Sequence, residues 1–425
     1  MVVFAHPTGN ANVRQAAIAL AEAGLMREFW TCLNWNPRAW YSHLAPVGMR
    51  KQFARRACDP ALLPYLHTLP LREVIRLFAP KLGLGRITQH ESPYLSVDAI
   101  YHHLDRSVAR RLSRIPDLSA VYMSEDGALS TFQRAKELGL HRLYDLPIGY
   151  WRAGHSIYKE EIERMPAWAS TIPGLRDSDE KLARKDEELR LAEVVYVASS
   201  FTRKTLEYAP SNHAIVHTIP YGAPSSIAEQ DLDFSTQKRL RVLFVGSLSQ
   251  RKGLSYLLDA VNALRDHVDV TFIGKRVENE CRPLEEALRC YRWIDSLPHS
   301  EILKEMRQHD VLVFPSLFEG FGLVLLEALS QGLPVIATPH TAAPDLITHG
   351  KEGFLVPIRD SVAITECLET LLRQPELRKA MRMASLAKAE QLPWQHYRKQ
   401  LAQSVQSQIE VLQKGSLPQL TSCNF

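Results

Sequence analysis

A chain of 425 residues exceeds what one ordinary core organises and implies two domains. With 45% hydrophobic and 23% charged residues, it has the composition of a soluble globular protein. No run nears the roughly 18 uninterrupted apolar residues of a membrane span. The formal charge of +4 is uneven: residues 1–150 hold 18 Lys and Arg against 12 Asp and Glu, leaving −2 for the rest. Arg50, Lys51, Arg55, Arg56, Arg72, Arg76, Lys81 and Arg86 supply much of the excess, beside Phe53, Leu77 and Phe78. The plainer expectation is a solvated face; the alternative is a surface for anionic lipid or a charged acceptor. Basic runs interleaved with aromatics are lacking, so nucleic acid is not an expected partner. The six cysteines show no CxxC and the sixteen histidines no ligand spacing. Reduced thiols, no bound metal and no cofactor are therefore expected.

In chain order, Val2 to Ala5 reads as a first strand rather than a leader segment, which points to a cytoplasmic location, extending to the inner face of the membrane. Val13 to Ala23 follows as an amphipathic helix. Residues 36–95 are proline-punctuated and poorly periodic, an insertion that shapes a surface. Ala120 to Ser124 is a strand, Leu129 to Leu138 a helix, Arg142 to Tyr144 a strand, and Val194 to Ala198 another. The polar stretch from about 223 to 238 reads as a linker. Strand Arg241 to Val245 then leads to a helix from Leu254 to Leu264, and Val268 to Gly274 is a strand ending in Gly. Ser300 to His309 is a helix with Ser300 as N-cap and Glu301 in its first turn. Strand Asp310 to Pro315, a helix through Leu325 to Leu329 and strand Val335 to Thr338 complete the alternation. Parallel strands joined by helical crossovers follow, hence an α/β chain.

The informative segment is Pro315-Ser316-Leu317-Phe318-Glu319-Gly320-Phe321-Gly322-Leu323-Val324-Leu325-Leu326-Glu327-Ala328, where a parallel strand gives way to a helix. Gly320 and Gly322 keep the loop clear of side chains, so that backbone N–H groups approach a phosphate at the helix N-terminus. Glu327 lies roughly 7–8 Å along that helix, about the distance from a diphosphate to its ribose. A carboxylate there accepts from both ribose hydroxyls, and Glu319 does the same for the transferred sugar. The loop Gly246-Ser247-Leu248-Ser249-Gln250-Arg251-Lys252-Gly253 ends an earlier strand of the same sheet. Lys252, with Arg251, offsets the charge that builds on a leaving diphosphate.

Together these two segments resemble the retaining family 4 glycosyltransferases of GT-B fold, closely from about 239 to 360 and in layout from 1 to 220. The resemblance implies two doubly wound, Rossmann-like domains facing a cleft. They are an acceptor-side domain (1–222), a linker (223–238), a nucleotide-sugar domain (239–390), a crossover helix (391–413) and a tail (414–425). It also implies that Glu319 contacts the donor sugar and Glu327 the ribose. Phe321, Gly322 and Leu323 then offer amides to the phosphates, and Lys252 neutralises them. Ser247 stands where many members carry Arg. Gly9-Asn10 fits the family's first-domain loop. Glu125, with Asp126 beside it, stands where many members have His. Each acid is either an acceptor-binding or deprotonating carboxylate, or a cap for the helix near Ala128. Asp145 is a weaker candidate, while Tyr150 and Trp151 read as packing.

The implied activity is transfer of a hexose-type sugar, with retention and without metal, to a glycan, lipid-linked glycan or polysaccharide hydroxyl. Two rivals remain. A dehydrogenase fits poorly, because Leu325 stands at the third glycine position and no acid ends the strand Val335 to Thr338. A pseudo-transferase that binds nucleotide-sugar and scaffolds a partner is the alternative favoured by the missing Arg and His.

Overall fold

The computed structural model describes residues 1–36, 53, 56–91, 94–210, 214–231, 238–277 and 280–415. Arg50, Lys51, Arg55 and Cys423 lie outside these residues, as do parts of the expected surface insertion, linker and tail. In the first half, strands β1 (Val2–Ala5), β2 (Met26–Thr31), β3 (Leu66–Thr68), β4 (Ala120–Ser124), β5 (His141–Leu146), β6 (Val194–Val197) and β7 (Ile215–Thr218) form one sheet. Its order is β3-β2-β1-β4-β5-β6-β7, and every pairing is parallel. The second sheet holds β8 (Leu240–Val245), β9 (Val268–Ile273), β10 (Arg292–Ile294), β11 (Val311–Phe314), β12 (Val335–Ala337) and β13 (Gly353–Leu355). Its order is β10-β9-β8-β11-β12-β13, again wholly parallel.

The continuous apolar runs follow from burial on both faces. In β8, Val242 and Phe244 pack into one core while Leu243 and Val245 pack into the other. In β1, Val2 and Phe4 face one core and Val3 and Ala5 another. Strand order reverses between β1 and β4 and between β8 and β11, which opens a crevice at each of those strand ends. Both segments singled out from the sequence occupy the second crevice.

Helices α1 (Ala11–Glu22), α2 (Pro70–Phe78), α3 (Val97–Arg111), α4 (Leu129–Glu137), α5 (Trp151–Arg164), α6 (Asp179–Leu191) and α7 (Ser200–Thr205) cover the first sheet. Helices α8 (Leu254–Ala263), α9 (Arg282–Cys290), α10 (His299–Arg307), α11 (Leu323–Ser330), α12 (Ala343–Leu346), α13 (Ser361–Arg373) and α14 (Pro375–Glu390) serve the second. The last helix, α15 (Trp394–Gly415), crosses back. It buries Tyr397, Leu401, Val405 and Ile409, one residue per turn, and packs along α1. Arg398 secures it by bonds to Glu22 (2.9 Å) and Gln15 (2.7 Å).

Three sequence expectations change. Helix α10 begins at His299 with Pro298, not Ser300, as N-cap; the fixed, extended backbone of proline suits that place, and its carbonyl accepts the N–H groups of Glu301 and Ile302. Neither Glu125 nor Asp126 caps α4. Glu188 accepts the N–H groups of Asp126, Ala128 and Leu129, and Asp105 accepts those of Ser130 and Thr131. Carboxylates from two other helices thus satisfy this helix start, an arrangement that local sequence cannot announce. Arg56 and Arg76 are not part of a solvated face; both turn inward to the buried carboxylate of Glu73.

Candidate functional site

At the second crevice, the short turn Gln250–Lys252 ends on Gly253, which has φ +70° and lies so close to Pro315 that an added Cβ would stand 2.0 Å from that carbonyl oxygen. This contact sets Lys252 against the end of β11. Its ammonium pairs with Glu319 and lies 4.6 Å above the Phe314 ring. Arg251 donates to the Phe318 carbonyl (2.8 Å) and to Glu319 Oε1 (2.5 Å). Burial raises the Glu319 carboxyl, but Lys252 and Arg251 outweigh it and hold the group down at about 2. Burial pulls Lys252 down to about 8, with Glu319 opposing. All three residues are thus ionised at neutral pH.

Gly322, at φ +84°, precedes α11. Among the described residues, no acceptor takes the N–H groups of Phe321, Gly322 or Leu323. Unclaimed amides at a helix start form an anion site. Glu327, further along the same helix, accepts from His299 Nε2 at 3.0 Å, and this bond raises the imidazole above its usual range. From the sequence His299 reads only as one of the histidines without ligand spacing, because only the fold brings α10 beside α11. On the far side, Trp293 donates to the Gly274 carbonyl at 3.0 Å, and Arg276 lies 5.0 Å over its ring.

Gly320 does something the sequence did not suggest. An added Cβ there would stand 1.8 Å from the carbonyl oxygen of Pro147, in the other half of the chain. The Gly320 carbonyl accepts the hydroxyls of Ser199 and Thr202, the latter at 2.8 Å. The missing side chain at 320 therefore serves the approach of the two halves, while Gly322 adjoins the free amides. Phe321 is buried against Tyr221, and Phe318 is buried between Tyr158 and Phe201. A second bridge centres on Glu161, wholly buried, which accepts from Gln250 (2.6 Å), Tyr256 (2.9 Å) and Arg359 (2.8 Å).

At the first crevice, Gly9 and Asn10 lie between β1 and α1, with Arg14 folded over Gly9. Glu125 and Asp126 follow β4, Asp126 with a left-handed φ of +68°. Both face the Lys185 ammonium, at 3.8 and 3.7 Å, and Asp177 meets it at 3.5 Å. Burial pushes Glu125 up to about 7 against the pull of Lys185. Burial also lowers Lys185, but the three carboxylates outweigh it and hold the ammonium above the usual lysine range. Glu125 Oε1 is buried without a partner among the described residues. It borders a cavity of about 100 Å³, lined in part by Trp151, His155, Tyr158 and Phe318. Asp145 ends β5 beside Ser124, and burial alone pushes it up to about 7. Tyr150 and Trp151 both donate to Asp186, which accounts for them as packing with a polar anchor. Lys185 and Asp177 were missed; the Lys181, Lys185, Glu188 spacing on α6 was the available signal of a polar buried stripe.

Two parallel α/β sheets thus carry a lysine, an arginine and a glutamate beside one helix start. Residues 239–374 match the family described as Glycosyl transferases group 1. That stretch is a group 1 glycosyl transferase domain, and the chain has the GT-B fold. An uncharacterized 41.2 kDa protein from the cps region of Klebsiella pneumoniae is 34% identical over 32% of this chain and 37% of its own. Phosphatidyl-myo-inositol mannosyltransferase of Mycobacterium leprae is 33% identical over 36% of this chain and 42% of its own. Both matches thus span less than half of the relative's length. Among solved structures, sucrose-phosphate synthase of Thermosynechococcus elongatus superposes over 96% of this chain and 99% of its own, with TM-score 0.66 and 18% identity. The Anabaena protein HepE in complex with UDP and glucose does so over 96% and 99%, with TM-score 0.63 and 16% identity. These two likenesses concern the fold.

Proposed function

We propose that the chain is a glycosyltransferase that moves a hexose-type sugar from a nucleotide-diphosphate sugar to an acceptor hydroxyl, with retention and without a divalent metal. The observation that carries this reading is the convergence of Lys252 and Arg251 on Glu319, next to a helix whose first amides are unclaimed. The diphosphate takes the amides of Phe321, Gly322 and Leu323 and displaces part of the Lys252 charge from Glu319. The freed oxygen of Glu319 then accepts from the sugar hydroxyls, and Glu327 accepts from the ribose. When the bond between the anomeric carbon and the diphosphate breaks, its electron pair goes to the phosphate oxygen, which Lys252 and the helix start stabilise. The acceptor hydroxyl forms the new bond on the same face, with Glu125 holding it or taking its proton. Lys275, Arg276 and Trp293 are the residues best placed to choose the base. The curated relatives' names support a glycan, lipid-linked glycan or polysaccharide as acceptor.

The test is a thermal-shift panel of UDP-, GDP- and ADP-sugars, followed by donor hydrolysis with EDTA and with Mg²⁺. One donor family should raise the melting temperature and be hydrolysed equally in both. No shift from any donor refutes the proposed site, and hydrolysis lost in EDTA and restored by metal refutes metal independence.

A further inference from the structure

Residues 60–91, with Tyr94, present an inverted surface. Helix α2 turns Glu73 and Arg76 inward: Glu73 is 2% exposed and holds Arg76 at 2.7 Å and, from outside the helix, Arg56 at 2.8 Å. Leu71 and Ile75, one turn apart, point outward at 72% and 43% exposed, while Leu77 and Phe78 pack on Trp35 and Phe53. Beyond it, Leu82 is 71%, Leu84 52% and Tyr94 68% exposed. Burying a carboxylate while wetting leucines is costly for a water-facing helix. Such a face implies a partner that covers it.

Charge says which partner. Between Pro60 and His90 the single carboxylate is the buried Glu73, whereas Lys81 and Arg86 are exposed. Arg72 stacks on Tyr94 at 3.9 Å, and Arg106 and Arg110, exposed on the adjoining α3, face His103 together with Arg72. A second copy of the chain, meeting this face about a two-fold axis, would bring like charges together. A bilayer with anionic headgroups meets both demands, since the leucines enter the acyl boundary while the cations stay at headgroup level. Helix α2 starts two residues after the C-terminal end of β3, the sheet edge on which the crevice opens.

We infer that the face formed by Leu71, Ile75, Leu82 and Leu84 with Lys81 and Arg86 docks on an anionic phospholipid bilayer. The rim of the crevice is thereby held at the membrane surface. This goes beyond the proposed transfer reaction and does not depend on it.

The test is sedimentation of the full chain with vesicles of phosphatidylcholine alone and with about 30% phosphatidylglycerol, where binding is expected only in the second and is weakened by high salt. Lys81→Glu/Arg86→Glu should weaken that binding by more than ten-fold, at about five-fold for each cation lost. Leu71→Ser/Leu82→Ser should weaken it by at least ten-fold. Both variants alter exposed side chains, so melting temperature and nucleotide binding serve as controls for the fold and remain unchanged. Equal binding to both vesicle types, no binding to either, or binding untouched by both variants overturns the inference. So does a dimer in light scattering that Leu71→Ser/Leu82→Ser dissociates while vesicles are ignored.

Discussion

Replacing Glu319 with alanine leaves Lys252 and Arg251 at one corner of the cleft without the carboxylate between them. The pair's balance shows why this is costly. The fall of Glu319 from 4.5 to about 2 corresponds to about 3 kcal/mol of stability, present above the unfolded carboxyl range and lost as pH falls through about 2. The fall of Lys252 from 10.5 to about 8 is a cost of about 3 kcal/mol, present below about 8 and relieved as pH rises toward 10.5. The two nearly cancel at neutral pH, so the intact pair adds little. Removing one member is different, because a buried charge is stranded, at about 3–5 kcal/mol. With about 2–4 °C per kcal/mol, Glu319→Ala is expected to melt about 6–20 °C lower. A nucleoside diphosphate returns negative charge to the same corner. UDP or GDP, whichever binds, should therefore raise the melting temperature more in the variant than in the unaltered protein. Turnover should fall by about 100-fold or more, because the sugar hydroxyls lose their acceptor. Differential scanning fluorimetry with and without nucleotide, beside a donor-hydrolysis assay, reads all three. A variant that melts like the unaltered protein, or gains less from nucleotide, refutes the reasoning.

Glu327→Ala should weaken nucleotide binding by about 10–100-fold through lost charged hydrogen bonds, while a 2′,3′-dideoxy nucleotide, lacking the ribose hydroxyls, should be indifferent. Calorimetry showing equal losses for both nucleotides rules out the ribose role. His299→Gln should give a smaller loss with the same ribose dependence, since its imidazole orients Glu327. Transfer should rise with pH through about 7, where Glu125 ionises, and Glu125→Gln should remove that limb while sparing donor hydrolysis. A pH profile unchanged in Glu125→Gln would rule the carboxylate out. Glu161→Ala takes one of two carboxylate partners from Arg359, leaving Glu160, and one bond each from Gln250 and Tyr256, so a loss of about 1–3 kcal/mol is expected in urea unfolding. A loss below about 1 kcal/mol would mean that the bridge between the halves lies elsewhere.

The sequence by itself determined the parallel α/β alternation and the donor-side cluster. Both are carried by local pattern: apolar runs that must be buried on two faces, and a glycine-punctuated loop at a strand end whose residues stay neighbours in space. Gly322, Glu319 and Glu327 were legible for that reason, and Lys252, 67 residues from Glu319, because both loops end strands of one parallel sheet. What the tertiary structure decided were the partners chosen across long separations. Nothing near Ala128 reveals that Glu188 and Asp105 satisfy the start of α4, 60 and 25 residues distant from their partners. Nor does the loop at 320 reveal that its glycine makes room for Pro147. Glu161 reads as one more acid on a helix until Arg359 arrives 198 residues later. Such residues are ordinary in composition and periodicity, and only the burial that folding imposes obliges each carboxylate to find its donor.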